Sequence, residues 1–258
     1  MDVFYREWDR RAPGETRDLG RARALAGLLG LLEPGVPVLT VVGSKGKGTA
    51  ATYASAFLGA AGLRVCTVTS PALRSDRERI RIDGKAVSAE ELAMLGDALD
   101  RAVAGPPPPS DGYLSPSGLF TLGGVLHAAR SRADAIVLEA GMGGRSDEVA
   151  LFPPDVAAVT PIFREHAGVL GETVPEIAAE KLGVAALGRV SCRRRSPPRS
   201  PASSPERRSS NPAPRASPPD SCLPVWDARR RHSASWPRAA FPEPPNHRPR
   251  TCGRCCPP

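Results

Sequence analysis

Seven consecutive residues, Gly43-Ser44-Lys45-Gly46-Lys47-Gly48-Thr49, combine three glycines, two lysines and two hydroxyls between an apolar run and a helical pattern. Backbone N–H groups in such a loop turn inward and cradle phosphate oxygens, and the helix N-terminus behind them favours the same anion. Lys47 would neutralise β- and γ-phosphates, and Thr49 would offer its hydroxyl to Mg²⁺. The strict P-loop spacing is not met: Val41 stands where the first glycine belongs, and Gly48 separates Lys47 from Thr49. Glu139 closes another apolar run, just before Gly141-Met142-Gly143-Gly144-Arg145. A carboxylate there, near a phosphate loop, suits a hard cation that needs oxygen ligands. On spacing alone His166 and Lys181 do not stand out, and Lys181 reads as a solvated helix lysine. Of the other histidines, His127 lies mid-helix and His232 and His247 lie near the far end of the chain.

These residues need a scaffold, and the hydrophobic pattern supplies one. Leu19, Ala22, Leu25, Ala26, Leu29 and Leu32 predict an amphipathic helix over 16–33. Buried strands are expected at Pro37 to Val42, Leu63 to Thr69, Ala133 to Ala140 and Asp155 to Thr160. Helices are expected from Lys47 to Gly62 and from Ser117 to Arg132. Ser88 with Glu91, and Thr173 with Glu176, form capping boxes that open two more, the second running through Lys181. Asp83-Gly84 predicts a hairpin within Ile80 to Val87, and Gly105 to Asp111 a loop. Strands alternating with helices imply an α/β fold with a mostly parallel, doubly wound sheet. The informative residues fall at the carboxyl ends of its strands, where ligands bind in such folds.

The chain has 258 residues and a formal net charge of +8, but the charge is uneven. From Ser191 to Pro258 there are 14 Arg against four acidic residues, with 16 Pro, 11 Ser and five of the six Cys. Residues 1–190 hold 21 basic and 23 acidic residues, so this body is no basic nucleic-acid binder. A single cysteine there, Cys66, argues against a disulfide scaffold and for a reducing, cytoplasmic setting. No 18-residue apolar run offers a membrane span, and the charged stretch Met1 to Arg10 lacks the apolar core of a secretory signal. The segment 191–258 is too poor in Leu and Val to offset its chain entropy and is expected to be disordered.

Four segments in order, GSKGKGT, TSPALRSDRERIRIDGKAVSAEEL, VLEAGMGGRSD and PDVAAVTPIFREHAGVLGETVPEIAAEKLGV, resemble folylpolyglutamate synthase/dihydrofolate synthase, a branch of the Mur ligase superfamily. The resemblance runs from about residue 15 to 187. It implies a Mur ligase central-domain-like fold and an ATP-dependent ligase that adds glutamate to a folate-type carboxylate through an acyl phosphate. It also implies small-molecule substrates, a folate-type acceptor and glutamate, and a monomer. Gly43, Ser44, Lys45, Gly46, Lys47, Gly48 and Thr49 would form the ATP loop. Ser70 resembles the first-metal serine, Glu139 the Mg²⁺ glutamate and His166 the Mg²⁺ histidine. Lys181 resembles the lysine that becomes carbamylated and supports a second Mg²⁺. Lys47, His166 and Lys181 would thus serve catalysis, and Thr49, Ser70, Glu139 and His166 the metal.

The sequence departs from that pattern in places. Ala72 stands where the family has His after Thr-Ser-Pro. Asp76-Arg77-Glu78-Arg79-Ile80 replaces Asn-Glu-Arg-Ile, and Ser146-Asp147-Glu148-Val149-Ala150 keeps only the Asp of Leu/Phe-Asp-Ala-Thr-Asn. These changes bear on folate specificity more than on ATP chemistry. The resemblance stops near Gly188, and the Arg/Pro/Ser-rich composition beyond it is what a GC-rich coding region gives in a shifted frame. A truncated or frameshifted ligase is therefore expected. Its sheet would be incomplete, ending on the exposed edge of Asp155 to Thr160, and it would be inactive alone. Two other classes stand beside this reading: a non-catalytic nucleotide-binding protein, and a nucleic-acid binder acting through the arginine-rich segment. The pair Cys252 and Cys255 has zinc-like spacing but no second pair beside it.

Overall fold

The computed structural model describes residues 2–104, 112–187 and 189–192. The loop expected at 105–111 and all but Ser191 and Cys192 of the arginine-rich segment lie outside the described residues.

Helices α1 (Asp2–Arg10) and α2 (Leu19–Leu28) precede strand β1 (Val38–Val42). Helix α3 (Lys47–Ala60) and β2 (Val65–Val68) follow, then a 3-10 turn (Asp76–Arg79) and the hairpin β3 (Ile80–Ile82) and β4 (Lys85–Ala86). Next come α4 (Ala89–Val103), α5 (Pro116–Arg130), β5 (Ala135–Glu139), a 3-10 turn (Glu148–Leu151) and β6 (Val156–Val159). Helix α6 (Val174–Leu182), a 3-10 turn (Gly183–Leu187) and β7 (Arg189–Cys192) complete the order.

The sheet runs β4-β3-β2-β5-β1-β6-β7. Its β2, β5, β1, β6 and β7 are parallel, and β3 and β4 are antiparallel. The expected α/β class holds. The hairpin turns at Asp83 and Gly84, both with positive φ, as a two-residue turn requires. Both capping boxes form: Ser88 with Glu91 opens α4, and Thr173 with Glu176 opens α6.

Three expectations are corrected. The helix over 16–33 is shorter, because Asp18 caps it by accepting from the Arg21 N–H, and Gly30, at φ +68°, lies in the turn that follows. Helix α1, read only as a charged stretch, packs Val3 and Phe4 into the core, with Phe4 stacked 4.2 Å from Phe120. Such a ring pair contributes about 1 kcal/mol beyond its buried area. The sheet also does not end on β6: β7 pairs with it in parallel from Val156↔Arg189 to Val159↔Cys192, so that edge is covered.

The main core lies on the sheet face covered by α1, α2, α4 and α5. Helix α5 is buried along almost its whole length, between the sheet and the other three, which suits its run of apolar and small residues. On the opposite face α3 covers Val41, Val65 and Val137. Register aligns the strand ends: Val41 pairs with Glu139, Val42 with Val159, and Val68 with Leu138. The loops after β1, β2, β5 and β6 therefore leave the sheet from one end, the carboxyl ends of its parallel strands.

Candidate active site

The loop after β1 enters α3 through Gly46 at φ +84°, and no side chain caps the helix. An uncapped helix start presents its first N–H groups to an anion. The loop after β6 braces this loop. The Ser44 N–H donates to the Pro161 carbonyl (3.0 Å), and the Phe163 N–H donates to Ser44 Oγ (3.2 Å). Gly43, at φ +139°, passes so close to Thr160 that a Cβ would collide with it. The glycine there is imposed by close approach of two loops.

Glu139 is buried at the end of β5. Its Oε2 accepts from the Ser70 N–H at 2.9 Å. A Cβ on Gly48 would lie 3.1 Å from Oε2. The glycine that breaks the strict P-loop spacing is therefore the residue that lets Glu139 reach the start of α3. Burial pushes the Glu139 carboxyl above its ordinary value, against the pull of the Ser70 N–H, Lys47 and the nearby Gly48 backbone. Lys47 is half-buried. Burial pushes its amine below the ordinary lysine value and the Lys181 charge adds to this, while Glu139, Glu165 and Asp147 oppose it.

Lys47, Thr49, Ser70 and Glu139 line one cleft of about 1360 Å³, with Ser44 and Lys45 at its loop end. His166 and Lys181 lie outside this lining. His166 is exposed, in a turn at φ +48° closed by the Val169 and Leu170 N–H groups on its carbonyl. Lys181 is not a solvated lysine: it is 1 % exposed. Its Nζ donates to the Gly43 carbonyl (3.0 Å) and pairs with Glu165 (2.8 Å).

Glu180, beside it, accepts from the Ser146 N–H (2.8 Å), Ser146 Oγ (2.6 Å) and the Gly144 N–H (3.3 Å). Consecutive residues of α6 thus fasten the loops after β1, β5 and β6. The loop after β5 is also clamped by Arg17, which bonds Asp147 (3.3 Å), Glu148 (3.2 Å) and the Met142 carbonyl (2.8 Å). Glu165, Glu180, Arg17 and Arg79 were not legible as site residues. Glu165 and Glu180 sit next to residues already singled out, and Arg79 lies in the segment Asp76 to Ile80.

Among the described residues, no three His, Cys, Asp or Glu side chains converge as a self-sufficient metal site. Among the oxygen donors that line the cleft are the three already singled out, the Glu139 carboxylate and the Ser70 and Thr49 hydroxyls. All are hard oxygen donors. That set fits Mg²⁺ bound by one carboxylate together with substrate phosphates and water.

The chain is 32% identical over 167 residues to the dihydrofolate synthase/folylpolyglutamate synthase of Bacillus subtilis, covering 64% of this chain and 39% of that protein. It is 35% identical over 161 residues to a probable bifunctional folylpolyglutamate synthase/dihydropteroate synthase of Halobacterium salinarum, covering 60% of this chain and 19% of that one. The Escherichia coli FolC structure in complex with DHPP and ADP matches with a TM-score of 0.62 and 32% identity, over 70% of this chain and 42% of that chain. Over this stretch the chain is similar to folylpolyglutamate/dihydrofolate synthases. A bifunctional synthase from Yersinia pestis, complexed with AMPPNP and Mn ion, matches with a TM-score of 0.60 and 30% identity, over 70% of this chain and 48% of that chain. No protein-family model matches the chain. It thus spans about a fifth of the Halobacterium salinarum synthase and about two fifths of the Bacillus subtilis one. No helix among the described residues is long and apolar enough to cross a membrane.

Proposed function

We propose that this chain carries the nucleotide-binding and carboxylate-activating part of an ATP-dependent folylpolyglutamate/dihydrofolate synthase-type ligase. The observation that carries the reading is the contact of Glu139 with the start of α3. It places a hard carboxylate, Lys47 and uncapped helix N–H groups in one cleft. Gly43 to Thr49 hold the phosphates, and Lys47 neutralises charge on the transferring group. Mg²⁺, held by Glu139, Ser70 and Thr49, would supply charge neutralisation at the phosphate oxygens. His166 serves the metal only if its turn closes toward the cleft. Lys181 supports the loop as an ammonium, and carbamylation would first require Glu165 to leave it.

In the reaction a carboxylate oxygen of the acceptor attacks the γ-phosphorus, and the bond to the β–γ bridging oxygen breaks. ADP leaves and an acyl phosphate remains. The glutamate amine then attacks the acyl carbon, inorganic phosphate departs and the amine loses a proton. The protein's part in the first step is positioning and electrostatic stabilisation. The second step needs a positioned amine. Calorimetric titration of the 258-residue chain with ADP tests the reading. Saturable binding that Mg²⁺ or Mn²⁺ strengthens supports it, and no binding at millimolar ADP overturns it.

A further inference from the structure

The Ser70 hydroxyl does not float at the cleft. Arg79 Nη1 donates to Ser70 Oγ (3.2 Å), Nε to Asp76 Oδ1 (3.1 Å) and Nη2 to Tyr5 Oη (3.4 Å). Tyr5 Oη closes the ring by donating to the same Asp76 oxygen at 2.7 Å. The guanidinium lies over the Phe120 ring, 4.7 Å from its centroid, and the Arg79 side chain is only 11% exposed. Phe120 is stacked in turn on Phe4 of α1. The arginine is thus fixed from several directions by groups that do not line the cleft holding Ser70 and Glu139. Its fork geometry lets it satisfy three acceptors at once.

We propose that Arg79 is a positioning residue that sets the Ser70 hydroxyl for the metal, so that α1, through Tyr5 and Phe4, supports the metal site. A serine oxygen has two lone pairs and one proton. Arg79 takes one lone pair and fixes the side-chain rotation. The other pair and the proton remain for the cleft, while the Ser70 N–H holds Glu139. Two of the three candidate metal donors are thereby oriented through one residue. This rests on the nucleotide-and-metal reading above.

The test is Mn²⁺ affinity by electron paramagnetic resonance with saturating ADP, in the full chain and in Arg79→Met, Ser70→Ala and the double variant. Arg79→Met is expected to weaken Mn²⁺ binding about 10- to 100-fold, as when a group orienting a metal ligand is lost, with metal-free ADP affinity within about twofold of the parent. The double variant should bind Mn²⁺ no worse than Ser70→Ala alone, because both act through one hydroxyl. If Arg79→Met does not fold, Arg79→Lys answers instead. It keeps the charge beside Asp76 but cannot span all three acceptors, so Mn²⁺ binding still weakens. Unchanged Mn²⁺ affinity, parallel loss of metal-free ADP binding, or additive losses in the double variant would overturn the proposal alone. A parent chain that binds ADP without any Mn²⁺ effect would overturn the metal reading together with it.

Discussion

Lys181 Nζ donates a 3.0 Å hydrogen bond to the Gly43 carbonyl, joining α6 to the first residue of the phosphate loop across 138 positions of sequence. The same ammonium meets Glu165 at 2.8 Å, so one buried cation fixes two loops at the strand ends. A charge placed so deep persists only with such partners.

Lys181→Met keeps the length of the side chain and removes both bonds. It should cost about 1.5–3 kcal/mol of folding stability, the range for hydrogen bonds to charged groups. Burial raises the Glu165 carboxyl, but hydrogen bonds from Lys181 and Ser44 outweigh it and hold the group below its ordinary value. A depressed carboxyl contributes stability that is present above the unfolded pKa and lost as pH falls through the folded one. Thermal unfolding should therefore show the variant losing less stability than the parent on acidification. An equal acid slope in both would show that the pair is not coupled to folding.

Glu139 has the opposite sign. Its folded value is raised, so its contribution is fully present below about pH 4.5, its ordinary value, and lost as pH rises through the folded value. Glu139→Gln mimics the protonated form. It should raise the metal-free melting temperature at neutral pH while weakening the Mg²⁺-dependent gain in nucleotide affinity far more than metal-free binding. A lower metal-free melting temperature would mark Glu139 as a structural anchor.

Arg17→Met should be the most damaging single change outside the cleft. Its guanidinium, 12% exposed, is shared by the Asp147 and Glu148 carboxylates, whose side chains are 2% and 1% exposed. Removing one partner of a buried ion pair typically costs about 3–5 kcal/mol, because the remaining charge is left unpaired. Burial and Asp147 already push the Glu148 carboxyl up against the pull of Arg17. Without the arginine the Glu148 carboxyl protonates more readily. The deficit should then shrink as pH falls, which denaturant titrations at pH 5 and pH 7.5 would show. A loss below about 1 kcal/mol at pH 7.5 would contradict the clamp.

Cys66 checks the packing of β2 independently. Its thiol is buried and pushed up to about 12, chiefly by that burial and further by Asp83. Thiolate is the reactive form. Native chain treated with iodoacetamide at pH 7.5 should leave the Cys66 peptide unmodified by mass spectrometry, and rapid labelling would place β2 elsewhere.

Most of the fold was legible because local signals carried it. The capping boxes at Ser88 and Thr173, the Asp83-Gly84 turn and the apolar strands each rest on neighbours within a few residues. Helix α1 was missed because its amphipathic pattern is only nine residues long and mostly charged, with Val3 and Phe4 as its buried residues. The edge strand β7 was missed because Arg189–Cys192 shares the composition of the arginine-rich segment. In the site, Lys47, Thr49, Ser70 and Glu139 could be read from motifs, and the cleft holds all four. The bonds of Arg17 to Glu148 and of Arg79 to Ser70 and Tyr5 could not, since their partners lie 131, 9 and 74 positions away and no spacing encodes such contacts. Lys181 reads from spacing as a surface lysine because its burial depends on Glu165 and Gly43 arriving from other loops.

The central claim is that Gly43 to Thr49 binds the terminal phosphates of ATP, with Lys47 as the cation that reaches them. The most direct measurement compares ATP and ADP affinity, with Mg²⁺ present, in the 258-residue chain and in Lys47→Ala. In the parent, ATP should bind detectably and more tightly than ADP. In Lys47→Ala that preference should vanish and ATP affinity should fall by about tenfold or more, in line with the loss of a charge-assisted phosphate contact. Equal ATP affinity in parent and variant would contradict the phosphate-loop assignment and the function built on it.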